Sequence, residues 1–186
     1  LQTKLMLSHD DTQLPPAVDA GFIDQLRPVY LAYFTTQQAL ANDDLAAAKL
    51  AAEGAADAME GVDMTLVSGD DHMGWMRSAE SLALVLDDLN KAETVEAARQ
   101  AFALYSEEMA TLAAQFGSPI DGSLYQLKCS MAFGGRGAIW LQDQQDVKNP
   151  YYGQAMLQCG EVQDIIAAPV TEGPDMPADE EDQDHD

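Results

Sequence analysis

The sequence predicts a mainly α-helical protein: an antiparallel four-helix bundle followed by a small irregular region, rich in Cys and Met, with short strands. Over residues 19–117, apolar residues recur at steps of three and four in four successive segments joined by short connections. That pattern is typical of amphipathic helices that alternate up and down in a bundle. After Gly117 the glycines cluster and the helical period stops, which indicates a different kind of structure.

The first two helices are predicted from their caps. Asp19 is a good N-cap for the first helix, and Asn42 and Asp43 end it and cap the second. The second helix is rich in alanine and runs to about Glu60. Pro28 falls inside the first helix, so we expect a kink there or a true start close to that residue. The apolar positions that predict the first helix are Phe22, Leu26, Val29, Tyr30, Tyr33, Phe34 and Leu40.

The third and fourth helices follow a turn around residues 61–69. Asp70 and Asp71 open the third helix. Its apolar positions are Met73, Met76, Ala79, Leu82 or Ala83, Leu86 and Leu89. The fourth has the most regular pattern, with Val95, Ala98, Phe102, Tyr105, Met109, Leu112 and Phe116. Such an unbroken apolar seam favours antiparallel packing against a neighbouring helix.

The remaining segments complete the domain organisation. Residues 118–168 are predicted to be a compact, irregular continuation of the helical domain, so that a single domain spans residues 19–168. Residues 1–18 carry two prolines and little periodicity and are predicted to be a linker. Residues 169–186 contain eight acidic residues and no basic one, which predicts a disordered acidic tail.

Within the irregular region, two stretches are candidates for short strands that pair with each other. They are residues 123–129 and 160–166, and each holds one cysteine or directly follows one. The connecting segment Ala132–Lys148 is predicted to be a loop that folds back.

The net charge of −23 excludes two classes of partner. Such a surface repels phosphate backbones and anionic lipid, so we expect no nucleic-acid binding and no direct membrane binding. No run approaches the roughly 18 to 20 apolar residues that a membrane helix needs. The chain begins at Leu1, which we interpret as a mature or excised piece.

Four sulfur donors are the strongest indication of function. Cys129 and Met131 lie two residues apart, and Met156 and Cys159 lie three apart. Thiolates and thioethers are soft ligands, and they select Cu(I) and its heavier analogue Ag(I) over hard cations.

The spacing predicts how each pair presents its sulfur atoms. On an extended segment, Cys129 and Met131 point to the same side. Met156 and Cys159 are neighbours on one face of a helical turn. This turn is supported by Asn149 as a cap, Pro150 at the first position and Gly160 at the end. If the intervening loop folds back, all four sulfurs surround one ion.

Two other interpretations of the cysteines remain open on spacing alone. A disulfide between Cys129 and Cys159 would close a loop of about 30 residues and stabilise an exported protein. Alternatively, both are unrelated buried thiols, with the methionines as core residues.

Longer motifs around the cysteines resemble a known family. They are Cys129–Gln142 (CSMAFGGRGAIWLQ) and Lys148–Val162 (KNPYYGQAMLQCGEV), with weaker likeness at Tyr30–Leu40 and at His72–Met76. Together they span roughly residues 22–166. They resemble the helical domain found as a C-terminal extension on periplasmic adaptor (membrane-fusion) subunits of CusB-type copper/silver efflux pumps.

This resemblance implies a periplasmic location and a role in handling Cu(I) or Ag(I) beside an efflux pump. The expected partners are adaptor or transporter subunits of the pump, or a periplasmic copper carrier. By their match to positions in this family, the resemblance implies that the metal ligands are Cys129, Met131, Met156 and Cys159. The family usually has proline where this chain has Ser130, a change that loosens the turn but removes no donor.

Four further residues are candidates for a role in metal binding, and for three of them core packing is the alternative. His72, Met73 and Met76 lie within one helical turn and are a possible secondary site, either a relay or additional ligands. Alternatively, the two methionines pack in the core beside Trp75. Trp140 is a candidate for shielding the metal from water, with core packing as the alternative.

Catalysis is not expected. The three histidines are His9, His72 and His185, and two of these lie in the predicted terminal segments. There is no Cys-x-x-Cys pair of the kind found in thiol oxidoreductases. The sequence therefore predicts a non-catalytic metal-transfer domain, and the alternative is a disulfide-stapled interaction or scaffolding module of an efflux adaptor.

Overall fold

The computed structural model describes residues 18–166. The predicted acidic tail and all but the last residue of the predicted linker lie outside the described residues. The helices are α1 (Ala20–Ala41), α2 (Leu45–Glu60), α3 (Gly69–Lys91), α4 (Val95–Phe116) and the single turn α5 (Ala132–Gly135). The strands are β1 (Leu124–Cys129), β2 (Ala138–Gln142) and β3 (Glu161–Ile166), and two 3₁₀ turns cover Met64–Leu66 and Gly153–Ala155. The prediction of a mainly helical protein with short strands near its C-terminal end is confirmed.

Local capping explains where the long helices begin. The Asp19 carboxylate accepts hydrogen bonds from the first backbone N–H groups of α1. Asp44, one residue beyond the predicted cap, accepts from a backbone N–H group of α2, and the Thr94 hydroxyl does the same for α4. Pro28 lies inside α1, so the expectation that the helix starts near Pro28 is wrong. The Asp19 cap and the buried Phe22 hold the turns that precede the proline.

The helices pack sequentially around an aromatic core. α1 contacts α2 and α4, and α3 contacts α2 and α4. Tyr33 of α1 stacks on Phe102 at a centroid distance of 5.2 Å and meets Tyr105 edge-on at 4.9 Å. Among the described residues, none of the helices is both long and apolar enough to cross a bilayer.

The buried face of α3 differs from the predicted one. Met73 and Met76 are 59% and 44% exposed, so the interpretation that they are core residues is wrong. Trp75 is buried instead and meets Phe22 edge-on at 5.6 Å. The larger indole ring determines which face of the helix turns inward, since it has more apolar surface to bury.

A three-stranded antiparallel sheet in the order β2-β1-β3 packs against the helices. The predicted pairing of the two short strands is confirmed, since β1 pairs with β3. β2 also pairs with β1, and it lies in the segment that was predicted to be a loop. The backbone N–H of Leu141 in β2 donates to the Tyr33 hydroxyl at 2.9 Å, which ties the sheet to α1.

Candidate metal centre

The sheet brings the two cysteines together. Cys129 is the last residue of the central strand β1 and is fully buried. Cys159 is half-buried and lies just before β3. Lys128 pairs with Glu161 across the two strands, so the residues next to them are neighbours in space. As a result, the Sγ atoms of Cys129 and Cys159 are 3.3 Å apart, and both are free thiols.

A buried asparagine holds the turn that carries Cys159. The Asn149 side chain is fully buried and accepts hydrogen bonds from the N–H groups of Tyr151 and Tyr152. Its amide nitrogen donates to the carbonyl oxygen of Cys159, and its backbone N–H donates to that of Leu157 at 2.7 Å. One side chain therefore joins both ends of the segment 149–159.

Trp140 closes one side of the centre. It is fully buried, and its indole N–H donates to Gln142 at 2.9 Å. The ring lies so close to Gly160 that a Cβ atom there would be 2.4 Å from Cη2 of the indole. Trp140 thus packs against the residue that follows Cys159, the position from which a shielding aromatic side chain would act.

The two methionines of the predicted ligand set occupy different environments. The chain leaves β1 after Cys129, and Met131 has helical backbone angles (φ −85°, ψ −16°) and is 51% exposed. The expectation that Cys129 and Met131 lie on one extended segment is therefore wrong. Met156 is half-buried, and the Cys159 N–H donates to the Met156 carbonyl at 3.0 Å. The prediction of a helical turn through both residues is wrong, because the 3₁₀ turn covers Gly153–Ala155 and Met156 has non-helical backbone angles (φ −147°, ψ 52°).

A pocket of about 360 Å³ opens beside the thiols. Met131 and Cys159 both line it, and the other lining residues are Lys128, Ser130, Gly160, Glu161 and Gln163. Met156 is not one of its lining residues. The structure therefore places Cys159 and Met131 around a common space, with the buried Cys129 thiol directly behind Cys159 and Met156 in the turn before it.

The surroundings of Cys159 favour its protonated thiol in the absence of a metal. The hydrogen bond with Cys129 raises the pKa of Cys159, and partial burial raises it further. A bound cation would reverse this preference, because a metal binds the thiolate and releases the proton.

The sulfur–sulfur distance suits either of two products. Two thiolates that bind one tetrahedral ion at about 2.3 Å stand about 3.8 Å apart, so a small outward rotation would admit a metal. Closure to a bond of about 2.05 Å would give a disulfide instead.

The chemistry of the donors decides which metals fit. Within residues 18–166, no group of three or more His, Cys, Asp or Glu side chains could hold a metal ion. The soft donors in this region are the thiols of Cys129 and Cys159 and the thioethers of Met131 and Met156. That donor set fits Cu(I) or Ag(I) and is unlike the thiolate and imidazole sets that hold Zn²⁺.

Comparison with known proteins places the helical region in a family. Residues 29–121 match a family model described as a protein of unknown function (DUF3347), and these residues are half of the chain. The chain belongs to the DUF3347 family. No curated protein and no solved structure matches it. The matched region ends before β1, so membership of DUF3347 assigns no role to either cysteine.

In this DUF3347 protein, the predicted secondary site at His72–Met76 lies near the C-terminal end of α4, whereas the cysteine pair lies near its N-terminal half. Trp75, beside the predicted secondary ligands, contacts Phe22, which in turn contacts Phe116 of α4. Tyr151, beside the cysteine pair, contacts Phe102 of the same helix. Phe102 and Phe116 are about 20 Å apart along the helix axis. The structure thus contradicts the interpretation of His72, Met73 and Met76 as further ligands of the same ion.

The sequence did not indicate one residue that supports the site. Arg99 of α4 is 8% exposed and donates to the carbonyl oxygens of Pro150 (2.7 Å) and Leu40 (3.0 Å). It also forms an ion pair with Asp43 at 2.6 Å, and Asp43 in turn accepts the N–H of Gln154. This Arg99–Asp43 clamp joins the α1–α2 connection to the segment that carries Cys159. A lone arginine on a helix has no local pattern that distinguishes it from a surface charge.

Proposed function

We propose that this DUF3347 protein is a non-catalytic periplasmic domain that binds Cu(I), or Ag(I), and transfers it within a heavy-metal efflux system. The observation that carries the proposal is the 3.3 Å separation of the Cys129 and Cys159 thiols. The likeness of the two cysteine motifs to adaptor subunits of CusB-type pumps supports the choice of metal and compartment. The expected partners are those adaptor or transporter subunits, or a periplasmic copper carrier.

Each sulfur has a defined role in this proposal. Cys129 and Cys159 bind as thiolates and release their protons as the metal enters. Met131 lies at the exposed side of the pocket and supplies a neutral thioether. Met156 supplies the fourth sulfur when the Cys159 turn moves towards the ion. An incoming partner displaces the thioethers first, because they are the weaker ligands.

The helical part acts as a rigid base for the site. We propose that α1–α4 form an antiparallel four-helix bundle, which is supported by the contacts of α1 with α2 and α4 and of α3 with α2 and α4. The sheet is anchored to this base through the Leu141–Tyr33 hydrogen bond.

The alternative function is an interaction or scaffolding module in which Cys129 and Cys159 form a disulfide. The same short distance between the sulfur atoms supports it. In that case the acidic helical surface, rather than the sulfur site, would contact the efflux proteins.

A copper titration separates the two functions. The reduced protein competes with a chromogenic Cu(I) chelator, and we expect uptake of one high-affinity equivalent that is lost in Cys129→Ser/Cys159→Ser. Met131→Leu and Met156→Leu should each weaken Cu(I) binding while leaving the fold intact, since Leu and Met have similar volumes. Met59→Leu on α2 is the matched control and should change nothing.

Two outcomes contradict the metal-transfer function. One is a reduced protein that does not compete for Cu(I). The other is a count of no free thiols in protein isolated without reductant, combined with Cu(I) binding that is unchanged in the double serine variant.

A further inference from the structure

Two methionines on α3 lie largely outside the hydrophobic core. Met73 and Met76 are 59% and 44% exposed, and Met64, on the preceding 3₁₀ turn, is 41% exposed. Methionine is usually a core filler, so three exposed thioethers within thirteen residues call for another explanation. A role as soft metal ligands at the surface would explain their exposure.

Helix geometry places three potential donors on one face. His72 and Met76 are four residues apart in α3, and Met73 and Met76 are three apart. At 100° per residue, the three side chains fall within an arc of about 100°. The half-buried His72 lies at one edge of this arc and the exposed Met73 at the other, with Met76 between them.

A hydrogen bond fixes the tautomer of the His72 ring. Nδ1 of His72 is 3.3 Å from the backbone carbonyl oxygen of Met64. A carbonyl can only accept, so the hydrogen bond assigns the proton of the neutral ring to Nδ1 and leaves the lone pair on Nε2. A histidine that ligates a metal commonly donates its other N–H to a backbone carbonyl in this way.

We propose that His72, Met73 and Met76 form a second soft-metal site, which takes monovalent Cu(I) or Ag(I) through one imidazole nitrogen and two thioether sulfurs. The donors are all neutral and the two thioethers are exposed, so the site holds its ion more weakly than the dithiol centre and exchanges it readily. It is a separate capture site, because its neighbour Trp75 packs through Phe22 near Phe116 of α4, whereas Tyr151 beside the cysteine pair packs on Phe102, about 20 Å away along that helix. The choice of Cu(I) or Ag(I) rests on the proposed function. The prediction that these three residues bind a soft monovalent ion rests on their own donor atoms and spacing.

The test uses a variant in which the first site is absent. The full-length protein with Cys129→Ser/Cys159→Ser is labelled with ¹³C at the methionine methyl groups and titrated with Ag⁺, which does not change oxidation state under these conditions. We expect the methyl signals of Met73 and Met76, assigned through their Leu variants, to shift together and saturate at one equivalent. The signal of the buried Met109 should not move, and that of the exposed Met131 should follow Ag⁺ only weakly.

A variant of the histidine provides the matched control. His72→Asn keeps a side-chain N–H that can donate to the Met64 carbonyl but removes the second ring nitrogen, Nε2. We expect at least about tenfold weaker Ag⁺ binding, since even outer partners of a metal ligand contribute that much. A Met64→Leu variant, which keeps the carbonyl, should bind as the parent does.

Three results would overturn the second site. They are methyl signals that do not move, equal shifts at all exposed methionines, and unchanged affinity in His72→Asn. The failure of the dithiol centre would appear instead in the copper titration of His72→Asn/Met73→Leu/Met76→Leu, which retains both cysteines.

Discussion

At the scale of single residues, the environment of Cys159 controls its reactivity. The neighbouring Cys129 thiol and partial burial both raise the pKa of Cys159. A thiol with a raised pKa contains less of the nucleophilic thiolate at neutral pH, so this free cysteine is a poor nucleophile although it is partly exposed.

We predict that Cys129→Ala increases the rate at which iodoacetamide modifies Cys159 at pH 8, by about two- to fivefold. The substitution removes the group that contributes most to the raised pKa, and the thiolate fraction therefore rises. Mass spectrometry at timed intervals gives the rate, and Ser130→Ala is the control. A rate equal to that of the parent at every pH would show that Cys129 does not affect the ionisation of Cys159.

The same raised pKa has a consequence for stability. The folded protein holds the Cys159 proton more tightly than the unfolded chain, so this group's contribution to stability is complete below the ordinary thiol pKa of about 8.5. It falls as the pH rises above that value. The fall with pH should be smaller in Cys129→Ala.

Asn149 is the residue on which the Cys159 turn depends. We predict that Asn149→Ala lowers the free energy of unfolding by about 2–4 kcal/mol, because it leaves the buried N–H of Tyr151, the partly buried N–H of Tyr152 and the carbonyl of Cys159 without partners. Unfolding in urea measures the loss. Gln158→Ala, at an exposed position in the same segment, is the control and should fall within about 0.5 kcal/mol of the parent. A similar small effect of Asn149→Ala would mean that the turn is held by other contacts.

At the scale of elements, the segment from Asn149 to Gly160 has almost no regular structure of its own. The Arg99–Asp43 clamp holds it at Pro150 and Gln154, and the Asn149 side chain ties its first residue to Cys159. Asp43 has a positive φ of 60°, a conformation that asparagine and aspartate tolerate better than other side chains. Gly153 is required where it lies, because a Cβ atom there would be 2.0 Å from the Asp43 carboxylate.

We predict that Asp43→Asn lowers the free energy of unfolding at pH 7 by about 1 kcal/mol or less, since the carboxylate is half-exposed and screened by water. Asparagine tolerates the positive φ and can still accept from Gln154, so the change isolates the charge. The hydrogen bond from Arg99 is the main reason that the pKa of Asp43 is lowered. The contribution of the ionised Asp43 to stability is therefore complete above the ordinary Asp pKa of about 3.9, and it disappears as the pH falls through the lowered pKa of the folded protein.

The measurement compares urea unfolding of the two proteins at pH 7 and near pH 3. The difference between them should shrink at the lower pH, whereas Asp57→Asn on the exposed side of α2 should show no such trend. A difference that is constant with pH would remove the ion pair from the explanation.

Elements were predictable to different degrees. The bounds of α4 agree with its apolar seam. The strands β1 and β3 lie within the two stretches, 123–129 and 160–166, that were predicted to be extended. β2 was not predicted, because five residues beside a glycine cluster carry too little pattern. The inward face of α3 was predicted from Met73 and Met76, but Trp75 occupies it. Apolar residues spaced three to four apart can be assigned to more than one face of the same helix, and the spacing alone does not choose between these faces.

At the scale of the whole molecule, the charge of −23 opposes the compact state. Like charges repel one another more in the folded protein, where they lie closer together, than in the unfolded chain. We predict that the urea midpoint rises when NaCl is increased from 20 mM to 0.5 M, because added salt shortens the range of this repulsion. A midpoint that does not change with salt would mean that local ion pairs offset the repulsion.

The sequence by itself determined the helical segments, their caps and the soft character of the donors, because each of these depends on residues close together in the chain. Only the tertiary structure decided which sulfurs meet. Cys129 and Cys159 are neighbours because β3 pairs with β1, while the turn after β1 places Met131 at the exposed pocket that Cys159 also lines. The distance between residues thirty positions apart is set by strand order and by buried groups such as Asn149 and Arg99, and no local pattern encodes it.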